Sequence, residues 1–389
     1  MKSPAGIRPH RRRAILMLPA LCLLVAGAGG WGLASAPLEL PGKAPILRIL
    51  WDQELASDPS PAMDVRWASA RSVYVAWLHH GVSELTMDGN FTALRNLFPD
   101  TRGAHTPLRY LPFHRLAVSQ EHVVAASLFR TLGYRPLHGT DGHVVITKAS
   151  VGIAEDIDVS GNRLLLVGDP ELRVLPIGGG IAWLGPLSAY PARDLKPILH
   201  DAGHGSFPNL INCYELQLGA ARFLPDQTFV VVPGSQPGAH LFDSAGQLLR
   251  TWDTAALGLD GDAGCGSITT EQLERLHISQ TARYAYLNQH RVLDGILPLA
   301  EGPGLLIRSV VDGKIQWQLK VLQPAATLVY DLPLTGSSPQ DRLRGDVRGN
   351  RIVLLLTATT EKPYRRSHLY VAELPRVAAP GAVVEGNQP

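Results

Sequence analysis

The sequence predicts an all-β fold assembled from small antiparallel sheets that repeat along the chain. Three observations carry this. Asp158-Val159-Ser160-Gly161-Asn162-Arg163-Leu164-Leu165-Leu166-Val167 recurs as Asp346-Val347-Arg348-Gly349-Asn350-Arg351-Ile352-Val353-Leu354-Leu355. Each copy reads as a strand end, a tight turn at Gly-Asn and a buried strand, because Gly-Asn supplies the positive φ of a two-residue hairpin. Short apolar runs recur at a spacing of about 8–12 residues with turn residues between them. Finally, 38 Gly and 30 Pro in 389 residues make turns dense.

The first 36 residues are of another kind. Lys2, Arg8, Arg11, Arg12 and Arg13 form a basic start, and Ala14 to Leu38 carries no charge. A basic start followed by an apolar stretch reads as an export signal. Ala26-Gly27-Ala28 and Ala34-Ser35-Ala36 fit small-x-small cleavage sites, but Pro37 follows the second. The uncharged stretch is also long enough for a membrane anchor, so cleaved signal and tether through residues 14–36 both stay open. Leu21 before Cys22 rules out a lipoprotein cysteine, and Arg11–Arg13 matches a twin-arginine signal only weakly. The expected location is periplasmic or extracellular. Removing the five basic residues from 36 leaves 31 Lys and Arg against 34 Asp and Glu, about −3. That balance has no footprint for nucleic acid.

The strands follow in order. Ile46–Leu50 is an early apolar strand among prolines, and Ser72–Leu78 and Gly81–Thr86 form a first unit. A second unit runs from His114–Val118 through Val123–Ala126 to His143–Thr147, and a third from the Asp158 repeat through Leu172–Ile177 to Ile181–Leu184. The fourth holds Ala221–Leu224, Phe229–Val232, His240–Asp243 and Gln247–Trp252. Gly304–Arg308 and Ile315–Leu319 flank an Asp312-Gly313 turn in the fifth, and the Asp346 repeat with His368–Leu374 makes the sixth. Ile46–Leu50 has no unit of its own, so it is expected to pair with the last strand and close a ring whose open edges would otherwise invite aggregation. The spacing predicts one short helix over Thr270–Arg283, with Ser267 or Thr269 as its cap. Two irregular insertions, Leu187–Leu216 and Ala255–Gly266, interrupt the pattern, and residues 378–389 read as a disordered tail.

Six units over residues 37–377 use nearly 60 residues each, against the roughly 40–50 common for propeller blades, and the insertions account for the excess. The pair of Asp-Val-x-Gly-Asn-Arg repeats and the strand-turn-strand Leu241–Leu249 resemble the six-bladed β-propellers of exported bacterial proteins, the NHL-like and TolB-like group. The resemblance implies six blades of four short antiparallel strands around a channel whose mouth would take a ligand. It implies no functional residue.

Catalytic signatures are few. In His200-Asp201-Ala202-Gly203-His204, the two histidines and Asp201 are candidate metal or ligand residues, as neutral imidazoles are good ligands. Gly203 and Gly205 oppose the helix that would align them, and no Glu follows the first His, so the metalloprotease pattern is missing. Solvated loop residues are the competing reading. Of the other histidines, among them His79, His80, His105, His114, His122, His138 and His143, several fall at expected strand ends or turns. Asp260-Gly261-Asp262 lacks the remaining oxygens of a calcium loop, Gly178-Gly179-Gly180 lacks the Lys-Ser/Thr of a phosphate loop, and no nucleophile elbow occurs. Trp51, Trp67, Trp77, Trp183, Trp252 and Trp317 read as packing between blades. Cys213 and Cys265, one in each insertion, are either a disulfide of an oxidising compartment or two buried thiols. The reading is therefore a binding or scaffold module for an unidentified protein or small molecule, with no cofactor expected. The alternative is a hydrolase or lyase with a divalent metal at the channel mouth.

Overall fold

The computed structural model describes residues 44–55, 61–78, 81–87, 95–97, 113–127, 131–138, 145–148, 154–161, 163–168, 172–176, 193–194, 219–232, 238–259, 280–324, 326–359 and 365–374. The N-terminal export-like segment, His200, Asp201, His204, Cys213, Cys265, the Asp260 loop and the tail lie outside them. Among the described residues no helix is long and apolar enough to cross a membrane.

After β1 (Arg48–Leu55) the strands come in fours. The first set is β2 (Ala62–Trp67), β3 (Ser72–Trp77), β4 (Gly81–Thr86) and β5 (Arg95–Asn96). Next are β6 (Phe113–Val118), β7 (His122–Ser127), β8 (Thr131–Pro136) and β9 (Val145–Lys148). They are followed by β10 (Ala154–Ser160), β11 (Arg163–Gly168), β12 (Leu172–Pro176) and β13 (Arg193–Asp194). The fourth set is β14 (Ala220–Phe223), β15 (Phe229–Val232), β16 (Ala239–Phe242) and β17 (Leu248–Trp252). The fifth is β18 (Val292–Leu299), β19 (Gly302–Val311), β20 (Lys314–Leu322) and β21 (Thr327–Gly336). The last three, β22 (Arg342–Arg348), β23 (Arg351–Thr359) and β24 (Arg365–Glu373), take β1 as their fourth.

The described strands thus make six four-stranded antiparallel sheets. The first strand of each set packs on the first strand of the next, in the order β2, β6, β10, β14, β18, β22 and back to β2. That closed ring of innermost strands is a β-propeller.

Hairpin chemistry sets the local geometry. β10 and β11 pair Ser160 with Arg163, and β22 and β23 pair Arg348 with Arg351, so two residues join each pair of strands, and in the second they are the turn Gly349-Asn350. Gly161 and Gly349 have φ of 54° and 62°, and a Cβ at either would meet open space. Glycine is there for its backbone, because the left-handed region penalises a side chain. Asp312 and Gly313, at φ 50° and 73°, both take the positive φ that a type I′ turn demands.

Ring closure follows the expectation from the early strand. β1 pairs antiparallel with β24, from Arg48 opposite Glu373 to Leu55 opposite Ser367. Just upstream, the Leu47 amide donates to Asp331 O and the Asp331 amide to Pro45 O, so the same segment also bridges to the edge of β21. The seam between the last sheet and the first is packed by Leu55, Val65, Trp67, Val73, Val75, Val353, Leu355 and Leu369. Ser367 Oγ receives the Ala62 amide at 3.0 Å, and Thr357 Oγ1 donates to Ala62 O at 2.7 Å.

Several elements differ from the sequence reading. β2, β5, β8, β13, β18 and β21 are strands beyond those the sequence predicts, and β13 lies within the expected insertion Leu187–Leu216. The expected helix Thr270–Arg283 is described only from its end: α2 spans Gln280–Gln289, six residues past Arg283, and residues 270–279 lie outside the described set. A short helix, α1 (Thr254–Leu257), precedes it. Asp253 caps α1, its Oδ1 accepting the Ala256 amide at 2.7 Å, which is ordinary N-cap chemistry.

Candidate functional site

Charged residues alternate with apolar ones along the innermost strands, and they are buried. In ring order β2 carries Asp64, β6 Arg115, β10 Asp156, β14 Arg222, β18 Asp294 and β22 Arg344, so the sign alternates around the ring. All six are at most 3% exposed. Arg66 on β2 is equally buried, Asp158 on β10 nearly so, and Asp346 on β22 half-buried. Such groups survive burial only when paired and hydrogen-bonded.

The aspartates fasten innermost strands to their neighbours at four of the six junctions of the ring. Asp64 Oδ2 accepts the Leu116 amide at 2.9 Å, Asp156 Oδ2 the Ala221 amide at 3.0 Å and Asp294 Oδ2 the Leu343 amide at 3.1 Å. Asp158 and Asp346, the first residues of the two repeats, do the same: they take the Phe223 amide at 2.7 Å and the Trp67 amide at 2.9 Å. The repeat therefore encodes a clamp between sheets as well as a hairpin. The ion pair of Arg222 Nη1 with Asp156 Oδ2 at 2.7 Å adds to it, while Arg66 Nη1 pairs with Asp64 Oδ1 at 2.8 Å within β2. Trp317 Nε1 also donates to Asp294 Oδ2, at 2.6 Å.

The two carboxylates of β10 sit in opposed fields. Burial alone would push Asp156 up, but Arg222, with Arg344, Arg66 and Arg115, outweighs it and holds the carboxyl below its usual range. Burial pushes Asp158 up to about 6; Arg222, Arg66 and the Phe223 amide offset this only in part, and Asp346 adds to it. A folded pKa near 6 against 3.8 unfolded means that this group's stabilising proton is fully bound below about pH 4 and lost as pH rises through 6. The difference amounts to about 3 kcal/mol. Asp158→Asn keeps an oxygen for the Phe223 amide without the charge. Its melting temperature should match the wild type near pH 4 and exceed it at pH 7. A variant destabilised equally at both pH values would contradict this.

At the C-terminal ends of the innermost strands a cavity of about 1090 Å³ opens, and all six strands reach it. β2 gives Arg66 and Trp67, β6 Val118, β10 Asp158 to Ser160, β14 Phe223, β18 Pro298 and β22 Asp346 to Arg348. Tyr74 and His138 complete the aromatic and basic part of the wall, and Glu121 the acidic part. Gln227 stands at the rim with φ 70°, a strained value for a residue with a side chain. Ser160 Oγ and Arg163 Nη2 hold its Oε1 at 2.9 and 3.0 Å, and Arg163 lies 4.9 Å over the Phe223 ring. The wall offers donors, acceptors and aromatic faces together, which suits a polar organic ligand.

Of the residues singled out from sequence, His138 lines the cavity and His114 and His122 are placed on β6 and β7. The metal candidates His200, Asp201 and His204 and the pair Cys213 and Cys265 lie outside the described residues. Among the described residues no three His, Cys, Asp or Glu side chains gather to hold a metal. The interior charges were missed because the groups that pair with them across the ring stand on other sheets, 52 to 279 residues away in sequence. The available signal was a charge pair two residues apart inside a strand, as in Asp64-Val65-Arg66, Asp156-Ile157-Asp158 and Arg344-Gly345-Asp346.

No protein-family model and no curated protein matches the chain. Solved structures similar to it include the following three. A streptogramin B lyase is 11% identical with a TM-score of 0.45, over 82% of this chain and 97% of that one. Virginiamycin B lyase from Staphylococcus aureus is 10% identical with a TM-score of 0.44, over 83% and 99%. The WD40 propeller domain of Doa1 is 9% identical with a TM-score of 0.40, over 85% and 97%.

Proposed function

We propose that the chain is a ligand-binding propeller acting outside the cytoplasm, and that its ligand seats in the cavity at the end of the ring. One observation carries this reading: every innermost strand delivers residues to the same 1090 Å³ space, so the fold itself is organised around it. Recognition would rest on Trp67, Tyr74 and Phe223 for contact area and on Arg348, His138, Glu121 and Gln227 for polar specificity. Location outside the cytoplasm is supported by the basic start and uncharged stretch at the N-terminus.

Crystals soaked with a library of small polar fragments should show hits concentrated in this cavity. Ser160→Trp, which puts a bulky ring into it from the rim, should abolish those hits and leave the fold intact. Hits scattered over the surface, or unchanged in Ser160→Trp, would sink the reading. Export has its own check: intact mass of the protein from the cell envelope should place the mature N-terminus between Gly29 and Pro37.

A further inference from the structure

We propose that the interior of the ring is a site for a small anion, of halide or single-carboxylate size, held by the guanidinium groups of Arg344, Arg66 and Arg222. Both Nη atoms of Arg344, Nε and Nη2 of Arg66 and Nε of Arg222 are buried with no acceptor from the protein. These residues are 2%, 2% and 1% exposed. Of the ring's carboxylate oxygens, Asp156 Oδ1 is in the same condition. Among the described residues, these three arginines thus present five such nitrogens against one such carboxylate oxygen of the ring. A guanidinium keeps its proton at any physiological pH, and each buried N–H without an acceptor costs about 1–3 kcal/mol. A group that only accepts relieves this better than one that also donates.

The geometry favours an anion. Arg66 is fixed through Nη1, which donates to Asp64 Oδ1 at 2.8 Å, Val65 O at 2.7 Å and Gly345 O at 3.5 Å. That leaves its Nε and Nη2 edge, the one that binds two carboxylate oxygens in parallel. Arg222 is fixed likewise, by Nη1 bonds to Asp156 Oδ2, Ile157 O and Ala221 O. Arg66 Nη1 reaches the carbonyl of Gly345, the residue after Arg344, at 3.5 Å, and the same Asp156 that Arg222 pairs with at 2.7 Å is drawn down by Arg222, Arg344, Arg66 and Arg115 together. The acidic members are already engaged: Asp64 by the Val65 and Leu116 amides, Asp156 Oδ2 by the Ala221 amide and Arg222, Asp294 by the Leu343 amide and Trp317. Arg66 and Asp158 also line the open cavity, which gives the ion a way in. The site does not depend on what that cavity binds.

Crystals grown in bromide should show an anomalous peak within hydrogen-bond reach of Arg344 Nη and of Arg66 or Arg222. In solution, replacing gluconate by chloride at constant ionic strength should raise the melting temperature to a plateau. Arg344→Met should lose that saturable rise. Arg66→Lys keeps the charge without the two-donor edge, and it should shift half-saturation by about tenfold, the worth of one charged hydrogen bond. It serves as the test if Arg344→Met does not fold. Only water in the interior, an identical anion response in the variants, or a bromide peak without saturable stabilisation, an adventitious ion only, would each overturn the proposal.

Discussion

Deleting Ile46–Leu55 should abolish cooperative folding of the whole described domain. This segment is the outer strand of the last sheet, although it lies at the other end of the sequence. Its loss exposes the cavities left by Leu47 and Leu55, which are 1% and 3% exposed. At about 1.5–3 kcal/mol per buried leucine the side chains alone contribute about 3–6 kcal/mol. A typical domain has only about 5–15 kcal/mol in total. The deletion also bares the edge of β24, a nine-residue strand open to pairing with other chains. The expected outcome is aggregation, or a melting temperature lowered by more than ten degrees or so. Ile46→Ser is the control, since Ile46 is 68% exposed and should be silent. A deletion variant that melts like the wild type would refute closure through β1.

Asp156→Ala should cost about 3–5 kcal/mol, because it strands a buried guanidinium. Asp156 Oδ2 is the 2.7 Å partner of Arg222 and also accepts the Ala221 amide. The pair is worth less than its rupture suggests, since taking two charges out of water offsets most of their attraction. Asp156→Leu with Arg222→Met should therefore recover part of the loss, as a positive coupling energy in a double-mutant cycle. The pH dependence has a sign. Asp156 has a folded pKa below its unfolded value, so its stabilisation is present above about pH 4 and falls away on acidification, opposite to Asp158 on the same strand. Chemical denaturation at pH 7 and pH 3 reads both. If single and double variants differ only by simple addition, the interior charges act independently and the clamp picture fails.

Most of the ring was legible where strand chemistry is local. The Gly-Asn and Asp-Gly turns, Phe229–Val232 and the early strand before the first sheet announce themselves through residues adjacent in sequence. The innermost strands are harder to read. β2 is Ala-Met-Asp-Val-Arg-Trp, in which Asp and Arg at alternate positions look like a solvated face. Their burial depends on carboxylates and guanidiniums from strands some 50 to 280 residues away, such as Asp346 Oδ2 on the Trp67 amide and Asp64 Oδ2 on the Leu116 amide. No local spacing encodes that. The same holds for the cavity, where Arg66, Phe223 and Arg348 meet only because the ring closes. The His200–His204 motif stood out in sequence because its residues are neighbours, and it lies outside the described residues.

Everything proposed for the cavity and the interior depends on the chain's two ends sharing one sheet. Glu54 faces His368 in the β1–β24 register. Glu54→Cys with His368→Cys, oxidised in the folded protein and mapped by non-reducing peptide mass analysis, tests this directly. The account predicts a near-quantitative link between positions 54 and 368 with a melting temperature no lower than that of the reduced form. Two free thiols at those positions in folded protein would contradict it.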